Sequence, residues 1–202
     1  MARTKREVVT EFRCSEILQS ARRVFAEKGF AEATVDEIAE AAGMAKGTIY
    51  LYFRSKSEIY LAALKEDMTR LHEETARRMQ AARSLKESIR AFIDTRIEYA
   101  DQHRDFCTIY HSEITNVLCN PAHVPADLKE LYERQYQLLK GLLDRGIARG
   151  EIRGSRSDLM ASAIYDVTRG LIARRLLGSA ASPSKADGDA IFDMVWKGMG
   201  VR

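Results

Sequence analysis

Residues 34–58 read TVDEIAEAAGMAKGTIYLYFRSKSE, and the punctuation of this stretch decides the fold. Thr34-Val-Asp-Glu37 has the form of a capping box, in which the threonine oxygen accepts a backbone N–H and the glutamate reaches back to the cap. A helix is predicted to start there. Val35, Ile38, Ala39 and Ala42 supply a short apolar stripe, and Gly43, which takes the left-handed turn conformation easily, stops it after about two turns. A third short helix is predicted over about 45–52. Ser55-Lys-Ser-Glu58 is a second capping box, opening a long helix whose apolar positions Tyr60, Leu64, Met68, Leu71 and Met79 continue to about residue 81.

On the N-terminal side, Ile17, Leu18, Ala21, Val24 and Phe25 fall at helical spacing, and Gly29 followed by Phe30 reads as a glycine stop, so the first helix is predicted over about 10–28. On the other side, Leu85, Ile89, Phe92, Ile93, Ile97 and Ala100 mark a fifth helix, and Phe106, Ile109, Tyr110 and Val117 a sixth. Pro125 suits the first turn of a seventh, running through Leu128, Leu131, Tyr132, Leu139, Leu142 and Ile147 to Gly150. Ser155 or Ser157 is predicted to cap an eighth, closed by Gly178, and Ser182-Pro183 to start a ninth with Ile191, Phe192, Val195, Trp196 and Met199. With only three prolines, no alternating strand segment and no internal repeat, the chain reads as all-α with about nine helices, the short ones first.

Helix, tight glycine turn, helix is the spacing of a helix-turn-helix, in which the first element braces the second against the major groove. Spacing alone is a weak signal, because many structural helix pairs share it. Here it comes with two capping boxes, the turn glycine, a Gly-Thr-Ile-Tyr core and the final Lys56 in fixed register, and with these residues about 12–60 resemble the DNA-binding domain of the tetracycline-repressor (TetR) family of transcriptional regulators. A recognition helix reaches base edges from its N-terminal end, which assigns direct readout to Lys46 and Thr48 and close backbone approach to Gly47. Tyr50 and Tyr52 present hydroxyls to phosphate, Lys56 adds charge in the first turn of the fourth helix, and Thr34 donates to phosphate while capping the second. Ile49 and Phe53 are expected to pack inward with Ile38 and Phe25. The chain departs from the family pattern at Ala45, where many members have serine, and at Leu51-Tyr52, where histidine or two tyrosines are common.

Composition bounds the rest. The 202 residues are 46% hydrophobic, enough for a sizeable core, and no apolar run approaches the roughly 18 residues that span a bilayer. No apolar segment follows the basic N-terminus as in a signal peptide, so the expected location is cytoplasmic, without membrane association. A net charge of +3, from 32 basic and 29 acidic residues, does not identify a nucleic-acid binder by itself, but Arg3, Lys5 and Arg6 form one acid-free cluster and Lys46, Arg54 and Lys56 another, both in the first third of the chain. Three widely spaced cysteines argue against a disulfide framework. Cys107, His111, Cys119 and His123 form C-x3-H-x7-C-x3-H, whose first pair shares a helical face. The spacing is not a standard zinc pattern and the second pair flanks a proline loop, so no metal and no cofactor is expected.

For residues 57–202 the resemblance is architectural and implies an effector-binding and dimerisation domain following a DNA-binding domain of residues 1–56. A pocket for a largely apolar small molecule needs a few inward polar groups. Arg96 between Phe92 and Ile97, Glu113 facing with Ile109 and Tyr110, and Gln135 interrupting the stripe to Leu139 supply them; internal pairing, such as Arg96 with Glu113, is the alternative. Pairing of the last two long helices across a two-fold axis, as the family implies, would use the small residues Ala163 and Gly170 with Phe192 and Trp196; the alternative is that these pack within one subunit. No nucleophile–base–orienter set or phosphate loop appears, which disfavours an enzyme. The expected function is therefore a homodimeric regulator, most simply a repressor released from palindromic double-stranded operator DNA by a small-molecule effector.

Overall fold

The computed structural model describes residues 4–119, 125–178 and 183–200, and among these the fold is all-α. The helices are α1 (Lys5–Glu32), α2 (Val35–Ala41), α3 (Lys46–Tyr50), α4 (Lys56–Ala81), α5 (Leu85–Gln102), α6 (Arg104–Cys119), α7 (Ala126–Ala148), α8 (Ser157–Leu176) and α9 (Ser184–Met199). None is long and apolar enough to cross a membrane.

The punctuation residues act largely as the sequence predicts. Thr34 caps α2 with both halves of its capping box made, and Gly43 turns the chain with φ +64. Gly29, at φ +75, breaks helical geometry inside α1, so that its last turn folds back. Three boundaries differ. α1 starts at Lys5 instead of residue 10, because Thr4 and Glu7 make a third capping box. Pro125 precedes α7 as its N-cap, since a proline N–H is not there to be satisfied. Neither Ser155 nor Ser157 caps α8: the N-cap is Arg156, and the Ser157 hydroxyl donates to Asp144 Oδ1 at 2.5 Å. Ser182, expected to open α9, lies outside the described residues; Pro183 is the N-cap.

The chain forms two compact units. The first comprises Met1–Asp67 and Asp105–Cys119. Ile17, Ala21, Ile38, Ile49 and Ile59 are completely buried in it, with Phe25, Phe53 and Tyr60. Phe25 meets Tyr60 edge-on at 5.1 Å between ring centroids, and Phe30 meets Tyr60 at 5.0 Å, so the turn after Gly29 is pinned to α4. Arg22 forks onto Glu66, at 2.5 Å, and the buried Asp67, joining α1 to α4.

The second unit comprises Met68–Arg104 and Asn120–Arg202. α5 packs on α8 and α9, and α7 on α8, around Ile89, Phe92, Ile93, Leu128, Leu139 and Leu143. Arg175 of α8 bonds Asp101 of α5 at 2.8 Å and Asp187 of α9 at 2.5 Å, tying three helices at one point. An isolated antiparallel bridge, Ile152 with Gly200, closes the end of α9 onto the α7–α8 connection, helped by Arg153 N–H donating to Met199 O at 2.7 Å.

Candidate nucleic-acid interface

Helices α2 and α3 pack on one another, and α2 on α1. Behind the turn, Lys28 pairs with Glu37, so the end of α1 holds the start of α2. Glu37 accepts at once from Lys28, from Thr34 N–H at 2.9 Å and from the Thr34 hydroxyl at 3.0 Å, and these three donors hold its carboxyl down at about 2. α3 is a helix of five residues, shorter than the span of 45–52, although the chain keeps turning: Leu51 N–H donates to Thr48 O and Phe53 N–H to Ile49 O. Its N-cap, Ala45, makes no side-chain cap bond, the consequence of alanine where family members carry serine. Ile49 is completely buried and Phe53 nearly so, which leaves the other face of α3 outward.

On that face Lys46, Gly47 and Tyr50 are exposed and Thr48 is half-buried, so the structure brings these expected residues together. Tyr52 follows, half-buried, beside Leu51, which is 80% exposed. Lys46 reaches back across the turn to Asp36 of α2 at 2.8 Å, and that bond raises its ammonium above the ordinary lysine value. No local spacing in the sequence announces this pair, whose members stand ten residues apart on two helices. Thr34 is exposed at the head of α2, with its hydroxyl proton directed at Glu37, so a contact with phosphate requires that proton to be redirected.

Lys56 departs most from expectation. Its ammonium donates to Phe30 O at 2.7 Å, Ala31 O at 3.0 Å and Ala33 O at 2.7 Å, and lies 4.6 Å from the centre of the Phe30 ring. An ammonium has three N–H donors, and all three have partners here. Lys56 therefore closes the fold-back after Gly29, satisfying carbonyls that the broken helix leaves without intrahelical partners, and a bond to phosphate would displace one of these.

Comparison with known proteins bears directly on this region. Residues 17–63 match the family model for bacterial regulatory proteins of the tetR family. The repressor AcnR of Corynebacterium efficiens is 45% identical over 58 residues, 29% of this chain and 31% of its own. The fatty acid metabolism regulator protein of Bacillus subtilis is 28% identical over 138 residues, 68% of this chain and 70% of its own. The chain is a TetR-family transcriptional regulator. A solved structure of the Bacillus subtilis regulator FadR in complex with stearoyl-CoA shares the fold, with TM-score 0.75 and 22% identity over 90% of this chain and 96% of that one.

In the second unit of this TetR-family chain, Arg96 is buried, donates to Gln135 Oε1 at 2.9 Å, and lies over the Tyr165 ring at 4.3 Å and the Phe92 ring at 5.5 Å. Phe92 and Leu139 are completely buried in the same unit. Four of the six expected pocket residues, Phe92, Arg96, Gln135 and Leu139, thus belong to one unit. Tyr110 and Glu113 belong to the other, where Tyr110 lies 5.6 Å from the Phe106 ring and Glu113 accepts from Tyr60 OH at 3.0 Å. Burial, then the Glu113 carboxylate, pushes the Tyr60 hydroxyl well above the ordinary tyrosine value. Of the residues expected at a subunit interface, Ala163 and Gly170 are exposed on α8. Trp196 is half-buried, and Phe192 is 2% exposed, stacked 6.2 Å from Trp196 with the Arg90 guanidinium 4.1 Å over its ring. Phe192 packs within its own chain, because α9 turns it towards α5. Cys107 is buried, and among the described residues no group of His, Cys, Asp and Glu has metal-holding geometry. His123 and the Cys119 side chain lie outside the described residues.

Proposed function

We propose that this TetR-family regulator is a homodimeric repressor that binds a palindromic operator through α3 and is released by a largely apolar small molecule. The observation that carries the DNA-binding part is the outward face of α3. Lys46, Gly47, Thr48 and Tyr50 are gathered on a helix fixed from behind by Ile49 and from the side by the Gly43 turn, while Tyr52 follows at its end. Lys46 and Thr48 contact base edges, Tyr50, Tyr52 and Thr34 contact phosphate, and Gly47 admits the backbone of α3 close to the duplex. Lys46 leaves the Asp36 carboxylate for base-edge acceptors of the DNA, with the phosphates around the groove compensating the lost ion pair. In this division of labour residues 1–56 bind DNA and residues 57–202 sense the effector and form the dimer.

For the effector, the support is Arg96 and Gln135 set among Phe92, Leu139 and Tyr165, a few polar groups within an apolar wall. The stearoyl-CoA complex of the Bacillus subtilis regulator makes long-chain acyl thioesters the first class to assay. Release follows if the effector binds better to a dimer geometry in which the two recognition helices no longer match the operator spacing.

The test starts from duplexes selected out of a random pool by the parent protein. A Lys46→Ala and Tyr50→Ala double variant is expected to lose both affinity and sequence preference at fixed salt; full retention of affinity removes the assignment of α3. Stearoyl-CoA titrated into the preformed complex is expected to release the DNA, and an Arg96→Met variant to need more of it.

A further inference from the structure

The first three turns of α1 contribute nothing to the core. Thr4 and every residue from Arg6 to Arg13 are exposed, among them Val8 and Val9 at about half and Phe12 at 61%, and burial begins only around Ile17. The stretch is about 15 Å of helix at 1.5 Å per residue. A helical segment of this length is marginal alone in water, but here it grows out of the anchored part of α1 and is closed by the Thr4–Glu7 capping box. The match to the family model begins at residue 17, after this arm.

The arm is one wall of an open groove of about 810 Å³, lined by Arg6, Val9 and Thr10 from α1 and by Leu51 and Tyr52 from the end of the α3 turn. A small-molecule pocket of similar volume surrounds most of its ligand with apolar walls. This groove has instead one guanidinium, two hydroxyls and two apolar side chains. No carboxylate is among its lining residues; of the two acids that adjoin them in sequence, Glu7 and Glu11, Glu7 is engaged with Thr4 N–H at 2.8 Å. Alternating cation or hydroxyl and apolar surface matches a chain of phosphates and deoxyriboses. Leu51 and Tyr52 follow directly on Tyr50, so the groove continues the outward face of α3.

We propose that this groove seats the sugar–phosphate backbone of the bound duplex, which makes the α1 arm a second DNA-contacting element. Arg6 and Tyr52 hold a phosphate from either wall, Thr10 donates to the same strand, and Val9 and Leu51 lie against deoxyribose. Leu51, a departure from the family pattern, thereby has a function as the exposed apolar floor. The inference rests on the DNA-binding reading above, and its contacts fix register and affinity without reading sequence.

The experiment uses the full chain and a duplex selected by the parent, with affinity followed by anisotropy over a series of salt concentrations and contacts mapped by hydroxyl-radical footprinting. Arg6→Ala is expected to weaken binding roughly tenfold. The loss falls equally on selected and scrambled duplexes, and the slope of log affinity against log salt becomes shallower by about 0.9. It removes protection at a backbone position that Lys46→Ala leaves protected, and Arg6→Lys restores the slope. Because Arg6 is exposed, circular dichroism and Tm stay at parent values. An Arg6→Ala variant with the parent slope and footprint overturns the proposal. So does a Phe12→Ser variant that lowers the sedimentation mass without altering DNA contacts, which would give the arm to a second copy of the chain. If the parent selects no duplex, the DNA-binding reading fails as well; if it does and the arm variants are silent, the arm alone fails.

Discussion

A methyl group added at Gly47 would meet no atom within 4 Å beyond its chain neighbours and its own helix backbone, and the residue lies in helical backbone where glycine is less favourable than alanine by about 1 kcal/mol. Nothing inside the protomer asks for glycine there. Gly43 is different: its neighbours also leave room, but its φ of +64 is one that side-chain-bearing residues adopt only under strain. One glycine serves the turn; the other serves a surface that approaches from outside. Gly47→Ala is therefore expected to stabilise the protein by roughly 0.5–1 kcal/mol in urea unfolding, while weakening binding to a selected duplex at fixed salt. A variant that gains stability and keeps its affinity would show that α3 does not approach DNA at Gly47. Lys56 shows where reading by residue stops. Its charge and position are visible in the sequence, but the carbonyls it satisfies come from 23 to 26 residues earlier, brought to it only by the break at Gly29.

At the scale of elements, local signals were legible and long-range ones were not. A capping box needs four residues, so those at Thr34 and Ser55 announce α2 and α4 without knowledge of the fold, and Glu58 N–H does donate towards Ser55 Oγ at 3.1 Å. The box at Thr4 has the same form, yet the apolar residues behind it are only Val8, Val9 and Phe12, all outside the core, and the sustained periodicity that marks a core-facing helix starts only where α1 meets its core. The direction of Phe192 depends on how α9 sits on α5, which no window within α9 contains. The α2 cap also makes a pH prediction. Glu37 has an ordinary value of 4.5 and is held at about 2 in the folded protein, chiefly by Lys28 and then by the two Thr34 donors. A depressed carboxyl means that the unfolded chain binds more protons between these values, so its stabilisation is complete above about pH 4.5 and is lost as pH falls towards 2. The stability of Glu37→Gln is expected to equal the parent's near pH 2, fall below it progressively up to about 4.5, and stay below it by a constant amount at higher pH. A series of urea melts with pH measures the gap; a gap that does not change with pH would mean that the charge plays no part in the cap.

For the whole molecule, the question is how a recognition helix of five residues becomes selective. One such helix touches few base pairs, and a two-fold arrangement with half-sites about one helical turn of DNA apart doubles the reading. The surface we propose for that arrangement is centred on α8. Leu159, Ala163, Val167, Gly170 and Leu177 recur at helical spacing and all are exposed, Leu159 at 56% and Leu177 at 81%, and on α9 Met194 is exposed as well. The opposite side of α8, with Ala161, Ile164, Thr168 and Ile172, is buried within the protomer. Small residues at Ala163 and Gly170 allow close helix approach while the larger apolar ones supply area, the combination that a self-complementary interface uses. A Leu159→Glu and Val167→Glu double variant places like charges on both sides of the two-fold axis and removes nothing from the protomer's own core. It is expected to keep parent helicity, to halve the mass seen by sedimentation equilibrium, and to bind a duplex with two half-sites no more tightly than a duplex with one. Since α3 and its surroundings are untouched, affinity for the single half-site stays at the parent value, which separates loss of pairing from damage to the reading head. A double variant that remains dimeric at micromolar concentration would move the interface away from this face of α8.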